Sequence, residues 1–369
     1  MGLKRVVVRH HMVNALLMGP GGSQYVTLET AIAFAERGVE TYIDAPFIEG
    51  RHDLAKLAEV FGLSEKEIYN IGIGDPGGVD VVINTSGDIL LGAGDVVYVH
   101  YPFVLDYSTY YSALQGIYDM LGKVYTFVNT IAFPLFSRKI KLYIANSSFT
   151  ASFLRKYLGI DPAVIHPPVN IDDIVRGQPL PLEERENYVI SVSRLSPEKQ
   201  PHRGVEVAKR IKRFGLRLVI AGSLSPYNKP YYELLLDYAR KEGVDDVIDF
   251  EINTSRHRLV ELYRHAYAYI HLTPKEHFGI SVVEAMAAGT PVIIPCDSGT
   301  WIDVALRDES IALPYSTTSE VCCKLKYLQR APTLWRTLSF NAYKRALEFD
   351  RREFRGRMYT AVTTTMKER

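Results

Sequence analysis

Two acids seven positions apart, Glu276 and Glu284, stand in the most distinctive stretch of this chain, Glu-His-Phe-Gly-Ile-Ser-Val-Val-Glu-Ala-Met-Ala-Ala-Gly-Thr-Pro. Carboxylates accept hydrogen bonds from hydroxyl groups, so the pair suits a ligand rich in hydroxyls. Phe278-Gly279 permits close backbone approach and opens a helix whose apolar stripe is Val282, Val283, Met286 and Ala287; Gly289 ends it and Pro291 blocks its continuation. The first turn of such a helix presents the N–H groups of Gly279, Ile280 and Ser281 at the positive end of its dipole, where a diphosphate is stabilised without a metal. Glu276 precedes the turn and Glu284 lies just inside it, so both reach a ligand at the helix end. Taken alone, the two acids would read as a solvated loop residue and a partner of the helix dipole.

Other residues fit the same chemistry. In Ser-Arg-Leu-Ser-Pro-Glu-Lys-Gln (193–200), directly after a strand-like run, Arg194 can bind a leaving diphosphate bidentately and Lys199 as a point charge. Read in isolation they are ordinary surface cations. His100 closes the strand-like run Asp95–His100, where an imidazole can donate to a hydroxyl or steady charge; a structural histidine is the plainer reading. Asn146-Ser147-Ser148 is explained by helix capping. Gly19-Pro20-Gly21-Gly22-Ser23 before a helical pattern, with Asp44 ending the next strand, mimics a dinucleotide fingerprint. Gln24 takes the place of the third glycine, however, and about a dozen residues separate strand from glycines.

These residues need strand ends to stand on, and the chain supplies them. Arg5–Val8, Thr41–Asp44, Val79–Ile83, Asp95–His100 and Leu142–Asn146 read as strands, with amphipathic segments such as Ser23–Arg37 between them. A second alternation places strands at Tyr188–Val192, Arg217–Ala221, Val247–Glu251, Ala268–His271 and Pro291–Ile294, and helices at His202–Phe214, Tyr231–Glu242, Ser255–Ala266 and Ile280–Ala288. The expectation is an α/β chain of two Rossmann-like doubly wound parallel-sheet domains, 1–178 and 185–345, with a helical segment 346–369 that packs back on the N-terminal domain. A Pro- and Glu-rich linker at 178–184 separates them. Ligands of such sheets bind outside the carboxyl ends of the strands, and two such domains facing each other form one cleft.

Composition narrows the choice. The 369 residues carry a net charge of +1 with both signs interspersed, which excludes the basic footprint of nucleic-acid binding. Three cysteines show no zinc spacing and fit free thiols in a reducing cytoplasm. Lys4-Arg5 runs straight into Val6-Val7-Val8, leaving no room for a signal peptide's apolar region. The stretch 118–136 is apolar and is followed by Arg138, Lys139 and Lys141, which leaves peripheral membrane contact open beside the plainer reading of a core helix.

Over almost the whole C-terminal domain the chain resembles the retaining glycosyltransferases of family 4, two-domain GT-B proteins with a Glu-x7-Glu motif. The resemblance implies that Glu276 contacts the donor sugar hydroxyls and Glu284 the donor ribose. It matches Arg194 and Lys199 to the family's Arg-x4-Lys pair and sets Gly21 and Gly22 in a loop facing the donor. Donor-binding residues are then Gly21, Gly22, Arg194, Lys199, Glu276, Phe278, Gly279, Ile280, Ser281 and Glu284. Retention of anomeric configuration and independence of metal and cofactor also come from the resemblance.

His100-Tyr101-Pro102 is similar to the GDP-mannose-dependent α-1,2-mannosyltransferases of lipid-linked oligosaccharide assembly, which adds His100 to the catalytic set of Glu276, Arg194 and Lys199. The implied reaction moves mannose from GDP-mannose to a glycan or polyprenyl-diphosphate-linked acceptor at the cytoplasmic membrane face, with 107–141 as the contact region. Ser298-Gly299-Thr300-Trp301 departs from the family's Gly-Gly, leaving a UDP-sugar donor with a soluble acceptor as the alternative. An NAD-dependent oxidoreductase and a non-catalytic glycan-binding protein are the readings from other classes.

Overall fold

The computed structural model describes residues 2–10, 21–87, 94–100, 124, 127, 131 and 137–367. The chain forms two compact units, one of Met1–Pro168 with Arg351–Arg369, the other of Val169–Asp350. Gly19, Pro20, Tyr101, Pro102 and most of the 107–141 region lie outside the described residues.

The first unit holds strands β1 (Arg5–Arg9), β2 (Glu40–Asp44), β3 (Ile71–Ile73), β4 (Val81–Asn84), β5 (Val96–Val99), β6 (Leu142–Ala145) and β7 (Ala163–Val164). They form one parallel sheet in the order β3-β2-β1-β4-β5-β6-β7, with the order reversing between β1 and β4. Val6, Val7 and Val8 are fully buried because both faces of a parallel sheet are covered. The helix Gly22–Ala35 covers one face with Leu28 and Ile32. The helix Arg351–Lys367 adds Phe354, Met358 and Val362 to the same core, and its Arg355 bonds Glu29, Glu36 and Glu67.

The second unit holds β8 (Glu186–Val192), β9 (Arg217–Gly222), β10 (Ile248–Ile252), β11 (Ala266–Ile270), β12 (Val292–Pro295) and β13 (Leu313–Tyr315), also all parallel, in the order β10-β9-β8-β11-β12-β13. Here β8 and β11 are hydrogen-bonded neighbours flanking the reversal of strand order, with Tyr269 opposite Ile190. That is where open α/β sheets bind ligands.

Three strands escaped sequence reading. β3, β7 and β13 have 3, 2 and 3 residues, and each is the edge of its sheet or the short terminus of it, so none carries the long apolar run that buried strands show. β11 starts two residues earlier than expected, at Ala266, immediately after the helix Arg256–His265. Residues 169–178, read with the first domain, go with the second unit because Val169, Ile171 and Ile174 enter its core. Leu347–Asp350 stay there too, and the chain passes to the first unit at Arg351.

Candidate active site

The neighbouring ends of β8 and β11 explain why residues far apart in sequence meet. Lys199 follows β8 through a short 3₁₀ turn at Pro197–Lys199, and Glu276 follows β11 by six residues. Lys199 Nζ lies 2.7 Å from Glu276 Oε2. Two further bonds fasten the loop between them: Thr273 donates to the Lys199 carbonyl at 3.1 Å, and Arg203 to the Leu272 carbonyl at 3.0 Å. Burial by itself would raise the Glu276 pKa, but Lys199 and His271 beside it overcome that and hold the carboxyl well below the usual range. Glu276 is therefore a carboxylate at neutral pH.

The helix after it spans Ile280–Ala287, with Gly279 at its N-cap in the left-handed region (φ +86°). A Cβ on Gly279 would sit 2.4 Å from Thr300 Cγ2, so glycine is required twice over, by conformation and by space. Val282 and Val283 N–H turn back onto the Gly279 carbonyl. Among the described residues the N–H groups of Gly279, Ile280 and Ser281 have no acceptor. The other end of the helix is held by buried Arg185, which donates to the Ala288 and Gly289 carbonyls at 3.0 and 3.1 Å, a cation at the negative end of the dipole.

The remaining candidates have separate partners. Phe278 turns its ring into the core against Phe349, so only its backbone belongs to the turn, and Ile280 packs against the same core. Arg194 lies 3.4 Å from Glu198 rather than on Glu276. Glu284 is engaged at both oxygens, by Arg256 at Oε1 and by the Tyr263 hydroxyl at Oε2, 3.0 Å away. Arg256 also bonds Asp173 at 2.8 and 3.0 Å and the Asn170 carbonyl at 2.7 Å. Sequence reasoning missed Arg256, Tyr263, Tyr269 and His271. The first two carry no spacing signal toward Glu284, whereas His271, directly after a strand, was open to the rule applied to His100.

In the first unit, Gly21 is the extended N-cap and Gly22 the first residue of the helix Gly22–Ala35; the Gln24 side chain accepts the Gly21 N–H at 2.9 Å. His100 lies one residue past β5 and donates Nε2–H to the Thr85 carbonyl at 2.9 Å. Burial pushes its pKa down to about 4, against the opposing effect of that bond. The Thr85 hydroxyl meets Thr27 at 2.8 Å, and Thr27 meets buried His10 Nδ1 at 3.1 Å. His10 was not singled out from sequence, since it follows β1 without a recognisable motif.

Residues 176–304, which contain this whole turn, match the family described as glycosyl transferases group 1. That match lies wholly within the second unit and takes in Lys199, Glu276 and the helix that follows. An α-1,2-mannosyltransferase of Dictyostelium discoideum, named for GDP-Man:Man(3)GlcNAc(2)-PP-Dol, is 27% identical over 63% of this chain and 51% of its own length. A D-inositol 3-phosphate glycosyltransferase of Mycobacteroides abscessus is 30% identical over 48% of this chain and 42% of its own. The chain thus spans about half the length of the curated relatives it matches. Among solved structures, Anabaena HepE in complex with UDP-glucose covers 98% of this chain and 99% of its own at a TM-score of 0.72 and 17% identity. Sucrose-phosphate synthase from Thermosynechococcus elongatus covers 99% and 100% at 0.69 and 16%. The fold is GT-B, two Rossmann-like parallel-sheet domains, as read from the sequence. Among the described residues no helix is long and apolar enough to cross a membrane.

Proposed function

We propose that this chain is a group 1 glycosyl transferase, a retaining hexosyltransferase that moves mannose from GDP-mannose to a glycan or lipid-linked acceptor. One observation carries the reading: an ionised, half-buried Glu276 paired with Lys199 stands beside three helix-opening amides that have no acceptor among the described residues. Lys199, Arg194 and the amides of Gly279, Ile280 and Ser281 stabilise the departing diphosphate, where fixed donors act on charge as it develops. Glu276 holds the sugar hydroxyls. Glu284 takes the ribose with the acceptor capacity left on its two oxygens, each of which holds one protein donor, Arg256 or Tyr263. His100, neutral and at a strand end, acts from the first unit, which takes the acceptor.

The choice of mannose and of a lipid-linked acceptor leans on the Dictyostelium relative and on the His-Tyr-Pro string. A UDP-sugar is the second reading, favoured by the likeness to HepE, whose structure holds UDP-glucose. Thermal shifts with GDP-mannose and UDP-glucose, followed by transfer assays with dolichyl-linked and soluble acceptors, separate the two. Absence of stabilisation by any nucleoside-diphosphate sugar, or full transfer by Glu276→Ala, overturns the proposal.

A further inference from the structure

We infer that His271 is a positioning residue that fixes which oxygen of Glu276 faces the donor sugar; this rests on Glu276 holding that sugar. His271 is 3% exposed and follows β11 directly. Its Nε2 lies 3.2 Å from Glu276 Oε2, its Nδ1 3.0 Å from the Tyr269 hydroxyl, and that hydroxyl 2.9 Å from Ser281 Oγ. The Tyr315 hydroxyl donates to the His271 carbonyl at 2.6 Å, fixing the backbone that carries the ring.

Donor and acceptor roles follow from chemistry. A carboxylate oxygen only accepts, so Nε2 carries the proton; Nδ1 of that tautomer accepts from Tyr269, whose one proton goes to the nearer acceptor, Nδ1 at 3.0 Å rather than the Val192 carbonyl at 3.4 Å, and Ser281 donates to Tyr269. The result is a directed chain, Ser281 to Tyr269 to His271 to Glu276, beginning in the first turn of the helix Ile280–Ala287. Glu276 Oε2 takes both the Lys199 and the His271 protons, whereas Oε1 receives only the His277 N–H, at 3.2 Å, among the described residues. Oε1 is therefore the oxygen with capacity left for sugar hydroxyls. Lys199 supplies charge on a flexible four-carbon stem; the buried ring supplies orientation.

Calorimetric titration of the full chain with two pairs of probes, GDP-mannose against GDP and UDP-glucose against UDP, tests this. In wild type, one sugar nucleotide binds tighter than its bare nucleoside diphosphate. His271→Leu should lose that preference, about tenfold or more, with affinity for the bare diphosphate unchanged. His271→Gln, whose amide restores a donor near Nε2, should recover most of it, and Tyr269→Phe, which removes one hydroxyl and little else, should lose part. Equal weakening of both members of a pair, or an intact preference in His271→Leu and Tyr269→Phe, overturns the inference. If wild type itself shows no preference for any sugar nucleotide, the reading of Glu276 falls with it, a result distinguishable because it needs no variant.

Discussion

Lys199 Nζ and Glu276 Oε2 are 2.7 Å apart across 77 residues of sequence, and the pair is mostly shielded, with side-chain exposures of 18% and 12%. The adjacency of β8 and β11 creates this contact, and it makes the site a structural element as well as a chemical one.

Removing one partner of such a pair strands the other charge. Lys199→Ala should cost about 3 kcal/mol in urea unfolding of the second unit, while Lys199→Ala/Glu276→Gln recovers part of it. Transfer by the single variant should fall about 100-fold. Additive stability losses in the double variant would show that the contact is not energetically coupled.

Gly299 should tolerate no side chain. A Cβ there would stand 1.7 Å from the His277 carbonyl oxygen, and its N–H donates to the Glu276 carbonyl at 2.7 Å. Gly299→Ala is expected to destabilise by about 2–4 kcal/mol and to weaken donor binding, because the backbone carrying Glu276 must shift. Gly356→Ala, in a helix with open space around it, should raise stability by about 0.5–1 kcal/mol. Thermal melts of both variants check the contrast.

His100 links folding to pH. Unfolded, it takes a proton near the ordinary 6.5; folded, only at about 4. The folded pKa is the lower one, so the contribution of the neutral ring is complete above 6.5 and declines as pH falls from 6.5 towards 4. Melting temperatures across that window should drop more steeply in wild type than in His100→Gln. Parallel curves would mean that the imidazole does not stay neutral in the fold.

Arg355 ties the last helix to the first unit. Glu29 is fully buried, and burial raises its pKa against the pull of Arg355, which lies 2.5 Å away. Arg355→Met should cost about 3–5 kcal/mol, with Glu29→Gln restoring part of the loss. Amide exchange should accelerate in the helix Gly22–Ala35 and stay unchanged in the helix Ile280–Ala287. Acceleration in both would show that the units do not unfold separately.

The sequence by itself determined the two parallel sheets, the helix after Phe278 and its glycine and proline boundaries, because alternating apolar runs and backbone-restricting residues act over a few positions. It also marked Glu276, Lys199 and the helix-opening amides as chemically apt. Tertiary structure alone decided the pairings. Lys199 went to Glu276 and Arg194 to Glu198, Glu284 was taken up by Arg256 and Tyr263, and Phe278 turned into the core. Such choices depend on which strand ends become neighbours and which side chains lose water together, and strand order is not written in any local stretch of chain. The same holds for β3, β7 and β13, whose few residues become strands only because a neighbouring strand offers its free backbone groups.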